Sequence, residues 1–190
     1  MIRIGILGDI GSGKSYVAKK FGHPVFDADF EVSKLYKKDK KVFKKLKKIL
    51  PNYFSSFPIK KYEISDAILS NKKNLKRIIQ IVHLEVRKKL ISFLKKNKNK
   101  QFIILDIPLL LENKINNKKD ILIFIKSKKS EVTKRLKKRK NFNKELIKKF
   151  RNIQLSLDYK KKKSQYVIKN DFTQKTISKY VKNILNRIEK

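Results

Sequence analysis

At 190 residues the chain suits one domain of ordinary size, and its 40% hydrophobic content is enough for a core. With no cysteine it has neither disulfides nor thiolate metal sites, which fits a reducing cytosol, and no stretch approaches the ~20 apolar residues of a membrane span. The formal charge is +36, yet only seven of the 52 basic residues are arginine, and the lysines run along the whole chain. Dedicated nucleic-acid surfaces use arginine for bidentate contacts, so the charge reads as solvated surface lysine and no specific nucleic-acid partner is expected. The joint skew toward Lys, Ile and Asn, with little Ala, is that of an AT-rich coding sequence. A positive field would still draw phosphorylated substrates.

Residues 2–7 form a short apolar run that predicts a first strand, too short for a signal peptide. Residues 13–21 predict the first helix, and 24–29 a second short strand ending in acid. From Phe30 to about Lys100 the spacing is mostly helical: Val42, Phe43, Leu46, Ile49 and Leu50, then Leu75, Ile78, Ile79, Val82, Val86, Leu90, Ile91 and Leu94, recur at three and four. An aromatic loop between Pro51 and Pro58 interrupts this region. After a polar linker over 95–100, residues 101–106 and 121–125 are apolar runs that fit strands buried on both faces of a parallel sheet. Residues 130–162 read as charged helices, Tyr166–Ile168 as a last strand, and Thr173–Glu189 as an amphipathic helix with Ile177, Tyr180, Val181, Ile184 and Ile188 on one face. Strands alternating with helices predict an α/β fold whose ligands bind at the carboxyl ends of parallel strands.

Chemistry is concentrated at those ends. Gly8-Asp9-Ile10-Gly11-Ser12-Gly13-Lys14-Ser15 fits the phosphate-binding P-loop, between a strand and a helix as that motif requires. Glycines let successive N–H groups face phosphate oxygens, Lys14 reaches the β- and γ-phosphates, and the Ser15 hydroxyl binds Mg²⁺. Asp27 and Asp29 flank Ala28 after the second strand, where alternation puts both carboxylates on one side. One would accept a proton from a substrate hydroxyl while the other helps to hold Mg²⁺. Asp106 ends an apolar strand, as a second Mg²⁺-holding carboxylate does in such sites. Arg135 and Arg139 are four apart, so one helix face would carry both over a triphosphate. His83 lies within the apolar face of the helix over 75–94, and Arg87 follows one turn later on the same face, so the two could together meet a polar ligand. Asn117-Lys118-Lys119-Asp120 matches a guanine-reading motif by chance, since it precedes a strand rather than following one.

These residues together resemble the dephospho-coenzyme A kinase family. The likeness covers Gly8–Ser15, Val17-Ala18, Phe21, Val25-Phe26-Asp27-Ala28-Asp29, His83 with Arg87, Leu105–Glu112, Arg135-Leu136 with Arg139, Gln154, and Tyr166-Val167-Ile168 with Asn170. It implies a three-layer P-loop NTPase fold with a five-stranded parallel sheet (core 1–29 and 100–190), a helical substrate-binding insert over about 30–99, and a lid over about 127–165. It implies transfer of the γ-phosphoryl of ATP to the 3′-hydroxyl of the ribose of dephospho-CoA, with Mg²⁺, in a cytoplasmic enzyme that is a monomer or weak oligomer. Asp29 matches the family's general base, supported by Asp27. Gly11, Ser12, Gly13, Lys14, Ser15, Tyr16, Arg135, Arg139 and Asn170 match ATP-binding positions. His83, Arg87, Pro108, Leu109 and Glu112 fall near the expected acceptor. The chain departs from the family pattern at Tyr16, Leu84, Ser65-Asp66, Phe150 (with Arg151 beside it) and Ser164-Gln165. The alternatives are a kinase for another small hydroxyl acceptor, such as a nucleoside monophosphate, and a nucleotide-switched nucleic-acid-binding protein.

Overall fold

A computed structural model describes residues 1–140 and 142–189; residue 141, inside the expected lid, lies outside the described residues. The chain order is β1 (Ile2–Gly8), α1 (Lys14–Lys20), β2 (Val25–Asp27), α2 (Ala28–Lys38), α3 (Lys40–Ile49), α4 (Lys61–Ser70) and α5 (Lys72–Lys96). It continues through β3 (Phe102–Asp106), β4 (Ile121–Lys126), α6 (Lys129–Lys137), α7 (Lys144–Asn152), α8 (Leu157–Lys163), β5 (Tyr166–Lys169) and α9 (Gln174–Ile188). The strands form one sheet in the order β2-β3-β1-β4-β5, every neighbouring pair parallel.

The chain divides into two compact units. The first holds Met1–Asp27, Asn97–Asn143 and Phe150–Lys190, and contains the sheet. All five residues of β3 are buried, because a central parallel strand is covered on both faces. Ile4, Ile6, Phe102, Ile104, Ile123, Ile125 and Ile168 project to one face and pack with Val17 and Ala18 of α1 and with Ile177, Val181 and Ile184 of α9. Each such fully buried Ile contributes about 1.5–3 kcal/mol. The alternate residues face the other way. A Cβ at Gly5 would meet Leu110 at 2.6 Å and Leu122 at 2.8 Å, so any side chain there would have to displace both leucines that close that layer on β1.

The second unit holds Ala28–Lys96 and Lys144–Lys149. Its buried residues Leu75, Ile78, Val82, Val86 and Leu90 form a single stripe along α5. Helices α2, α3 and α4 pack against α5. The aromatic loop between α3 and α4 is anchored rather than loose: Phe54 is fully buried, and Glu63 Oε1 accepts hydrogen bonds from Ser55 N and Ser55 Oγ, both at 2.9 Å.

Three expectations need correction. The strand over 24–29 ends at Asp27, and Ala28 and Asp29 open α2, so the two carboxylates do not alternate along one strand. Asp29 and Glu31 in the first turn suit the positive end of a helix, which draws the chain out of the extended form. Arg135 and Arg139 do not share a helix face, because α6 stops at Lys137 and Arg139 follows its C-cap, Lys138, in a turn. His83 is half-buried beside the apolar stripe of α5 rather than within it, and Ile91 is 54% exposed.

Candidate active site

The P-loop starts where β1 leaves the sheet at Gly8 and ends as α1 begins. Gly11 and Gly13 have φ of 84° and 89°, in the left-handed region that favours glycine. At Gly13 a Cβ would come within 2.5 Å of Asn170 Nδ2, so backbone and neighbour both demand glycine. Three of the loop's carbonyls are held by side chains, one from beyond the loop and two from within it. Ser12 O accepts from Asn170 Nδ2 at 2.8 Å and from Ser127 Oγ at 3.0 Å. Lys14 Nζ donates to Asp9 O at 2.7 Å and to Gly8 O at 3.2 Å. A glycine-rich loop of this kind presents N–H groups to an anion, and the start of α1 adds partial positive charge.

Asn170, buried at the end of β5, is an organising residue here, because its Oδ1 also accepts from Phe172 N at 2.7 Å. Phe172 has φ of 65°, and the Arg135 guanidinium lies over its ring at 4.2 Å from the centroid. Arg139 is exposed beyond α6, and Tyr16 is 41% exposed on α1. Ser127 and Phe172 are not legible as site residues in the sequence, since neither belongs to a motif. Arg151 also reaches the loop: its Nε and Nη2 donate to the two carboxylate oxygens of Asp9 at 3.0 and 2.7 Å.

At the same carboxyl end of the sheet, register pairs Asp27 with Asp106. Asp106 is buried and Asp27 half-buried. Mg²⁺ takes oxygen ligands and keeps several waters, so it asks for few protein donors. The buried Asp106 carboxylate and the Ser15 hydroxyl are hard oxygen donors of that kind, and the residues present fit such an ion. Among the described residues no group of three or more His, Cys, Asp or Glu gathers as an all-protein metal cage.

Pro108 and Leu109 begin a run of turns after β3, and Glu112 lies within it. Glu112 Oε1 pairs with Lys160 Nζ at 2.8 Å and accepts from Leu155 N at 2.9 Å. Lys160 is 1% exposed and also donates to Gln154 Oε1 at 3.0 Å. Glu112 Oε2 is buried and, among the described residues, has no hydrogen-bond partner. In the second unit, Asp29 opens α2, while half-buried His83 and exposed Arg87 stand one turn apart on α5. The Asn117–Asp120 run is a turn: Asp120 Oδ2 accepts from Asn117 N and from Arg3 Nη2, each at 2.9 Å. Burial pushes the Asp120 carboxyl up, against these hydrogen bonds and the Arg3 charge.

Comparison with known proteins bears on this arrangement. A sequence model of the family described as dephospho-CoA kinase matches residues 2–176. A curated dephospho-CoA kinase from Wolbachia sp. subsp. Brugia malayi is 34% identical over 190 residues, covering 97% of each chain. Among solved structures, the Thermus thermophilus protein TT1252 superposes with a TM-score of 0.79 at 25% identity, covering 98% of this chain and 97% of its own. A dephospho-CoA kinase from Campylobacter jejuni has the same fold, with a TM-score of 0.63 at 20% identity over 98% of this chain and 96% of its own.

Proposed function

The chain belongs to the dephospho-CoA kinase family, whose members transfer phosphate from ATP, and from that premise we propose which residues carry the reaction. The γ-phosphoryl of ATP passes to the 3′-hydroxyl of the ribose of dephospho-CoA. The acceptor oxygen bonds to the γ-phosphorus as the bond from that phosphorus to the bridging oxygen breaks, releasing ADP. The observation that carries this reading is the P-loop of Gly8–Ser15 at the carboxyl end of the sheet, where Asp27 and Asp106 stand in register.

In this reading the N–H groups of Gly11, Ser12, Gly13 and Lys14 cradle the β- and γ-phosphates, and the Lys14 ammonium turns from the loop carbonyls to the phosphates. Ser15 and Asp106 would hold Mg²⁺, which would supply positive charge against the phosphates. Arg135 and Arg139 supply further positive charge over the triphosphate. Asp29 accepts the proton of the ribose hydroxyl, and Asp27 assists in orienting the site. Asn170 keeps the loop in shape through Ser12 O, and Tyr16 flanks the cradle. The acceptor meets His83, Arg87, Pro108, Leu109 and Glu112. The exposed Arg87 suits a substrate phosphate, and the buried Glu112 Oε2 suits a hydroxyl or amide donor. The enzyme works in the cytoplasm as a monomer or weak oligomer. No helix among the described residues is long and apolar enough to cross a membrane.

An ADP-release assay with ATP and Mg²⁺ tests the acceptor directly. Dephospho-CoA is the acceptor that turns over. Turnover of a nucleoside monophosphate, with none of dephospho-CoA, overturns the reading.

A further inference from the structure

The Asp9–Arg151 pair sets a carboxylate on a loop whose other features all favour anions. Asp9 is the second residue of the P-loop, and its backbone carbonyl is one of the two that Lys14 holds. Its side chain is itself fixed, since Oδ1 accepts from Ile10 N at 2.7 Å as well as from Arg151 Nε at 3.0 Å. Arg151, at the C-terminal end of α7, completes a two-pronged contact through Nη2 to Oδ2 at 2.7 Å. Two of the five guanidinium hydrogens serve this contact. The pair is not sealed: the Arg151 side chain is 41% exposed and that of Asp9 22%. Solvent therefore reaches both partners, and a more highly charged anion arriving at the loop can compete with the Asp9 carboxylate for the guanidinium. Two oxygens of a tetrahedral phosphate can accept from the guanidinium fork as the two of a carboxylate do, with more charge. Only seven of the 52 basic residues are arginine, and one of them stands at the phosphate loop itself.

We propose that Arg151 is a further triphosphate-binding residue that exchanges the Asp9 carboxylate for ATP phosphate oxygens, so that Asp9 is a competitor built into the P-loop. The proposal rests on the reading of Gly8–Ser15 as the ATP site. Asp9 then lowers the affinity for ATP in two ways: it occupies Arg151, and it repels the phosphates once Arg151 has left it.

Calorimetric titration of the whole chain with a non-hydrolysable ATP analogue and Mg²⁺ tests the exchange. Asp9→Asn is expected to bind the analogue about threefold or more tighter than the parent chain, and Arg151→Gln about tenfold weaker, as charge-assisted bonds are gained and lost. The double variant decides between contact and mere charge balance. If Arg151 touches phosphate, Asp9→Asn/Arg151→Gln binds at least about fivefold more weakly than Asp9→Asn alone. Arg151→Lys, which keeps the charge but not the fork, falls between the parent and Arg151→Gln. The proposal is overturned if the double variant binds as Asp9→Asn does, because Arg151 then only neutralises Asp9. It is equally overturned if both single variants weaken binding alike, because the pair is then a structural tie. Failure of the parent chain itself to bind the analogue overturns the ATP reading, and this proposal with it; the other two outcomes leave that reading standing.

Discussion

Lys14 and Asp29 carry the sharpest expectations at the scale of single residues. Lys14→Ala removes the ammonium that would follow charge onto the β- and γ-phosphates, and kcat/KM should fall by about 10²–10³-fold. The same change deletes its bonds to Gly8 O and Asp9 O, so circular dichroism and the thermal midpoint must be measured alongside to separate lost catalysis from a loosened loop. Asp29→Asn keeps the size and the helix-opening position but cannot take a proton. It should lower kcat by about 10²–10⁴-fold while leaving the KM for ATP near that of the parent. An unchanged kcat would remove Asp29 from the base role. Both residues stand out from sequence alone, one by its place in an eight-residue motif and the other by its spacing from Asp27. Strand alternation does not relate Asp27 to Asp29, however, because the helix begins between them. Asn170 is legible only through resemblance. Its physical task, bonding Ser12 O and excluding any side chain at Gly13, spans 158 residues of sequence and has no local signal.

Secondary-structure elements hold two further charges whose roles differ in sign. Lys160 is the buried cation of α8, and its pair with Glu112 ties that helix to the turns after β3. Lys160→Met leaves a buried carboxylate without its partner and should cost about 3–5 kcal/mol in denaturant unfolding. Adding Glu112→Leu removes the stranded charge and should restore most of that loss, because a well-packed apolar pair is no worse than a buried ion pair. A double variant as unstable as the single one would mean that packing, not charge, is at stake. Glu63 at the start of α4 is an acid-sensitive group. Burial raises its carboxyl, but hydrogen bonds from the backbones of Lys60, Ser55 and Ser56 and the Ser55 hydroxyl outweigh this and hold it below the usual glutamate value of 4.5. A folded-state value below the unfolded one adds stability above the ordinary glutamate range, and this is lost as the pH falls through it. The thermal midpoint of the parent should therefore drop on acidification more steeply than that of Glu63→Gln. Parallel slopes would show that Glu63 does not govern acid sensitivity. The capping role is not legible in the sequence because Glu63 closes onto Lys60, a residue type rarely read as a helix start. Gln165, a departure from the family pattern, has a local reason too. It brackets the start of β4 by exchanging two bonds with Leu122, N to O at 2.9 Å and Leu122 N to Oε1 at 2.7 Å.

Across the whole molecule the formal charge of +36 must repel itself. Raising the salt from about 0.01 M to about 0.1 M shortens the screening length from about 30 Å to about 10 Å. We expect the thermal midpoint to rise by about 2–4 °C, which corresponds to roughly 1 kcal/mol for a chain of this size. Over the same range any binding to an unrelated oligonucleotide should be lost steeply, as for a charge without a built site. Binding that persists at physiological salt would instead give the lysines a partner. The sequence by itself determined the α/β class, the run of strands, the amphipathic C-terminal helix and the P-loop. Each is written locally, in a period of two or 3.6 residues or in a short motif, and needs no distant partner to be read. Only the tertiary structure decided the strand order β2-β3-β1-β4-β5, which stands Asp27 beside Asp106. It alone set Asn170 behind Gly13, Lys160 under Glu112 and Arg151 on Asp9. Arg151 meets Asp9 across 142 positions of sequence, and Asn170 meets Ser12 across 158. At such distances side-chain chemistry says which groups can bond, and only the packing of the sheet and its helices says which ones meet.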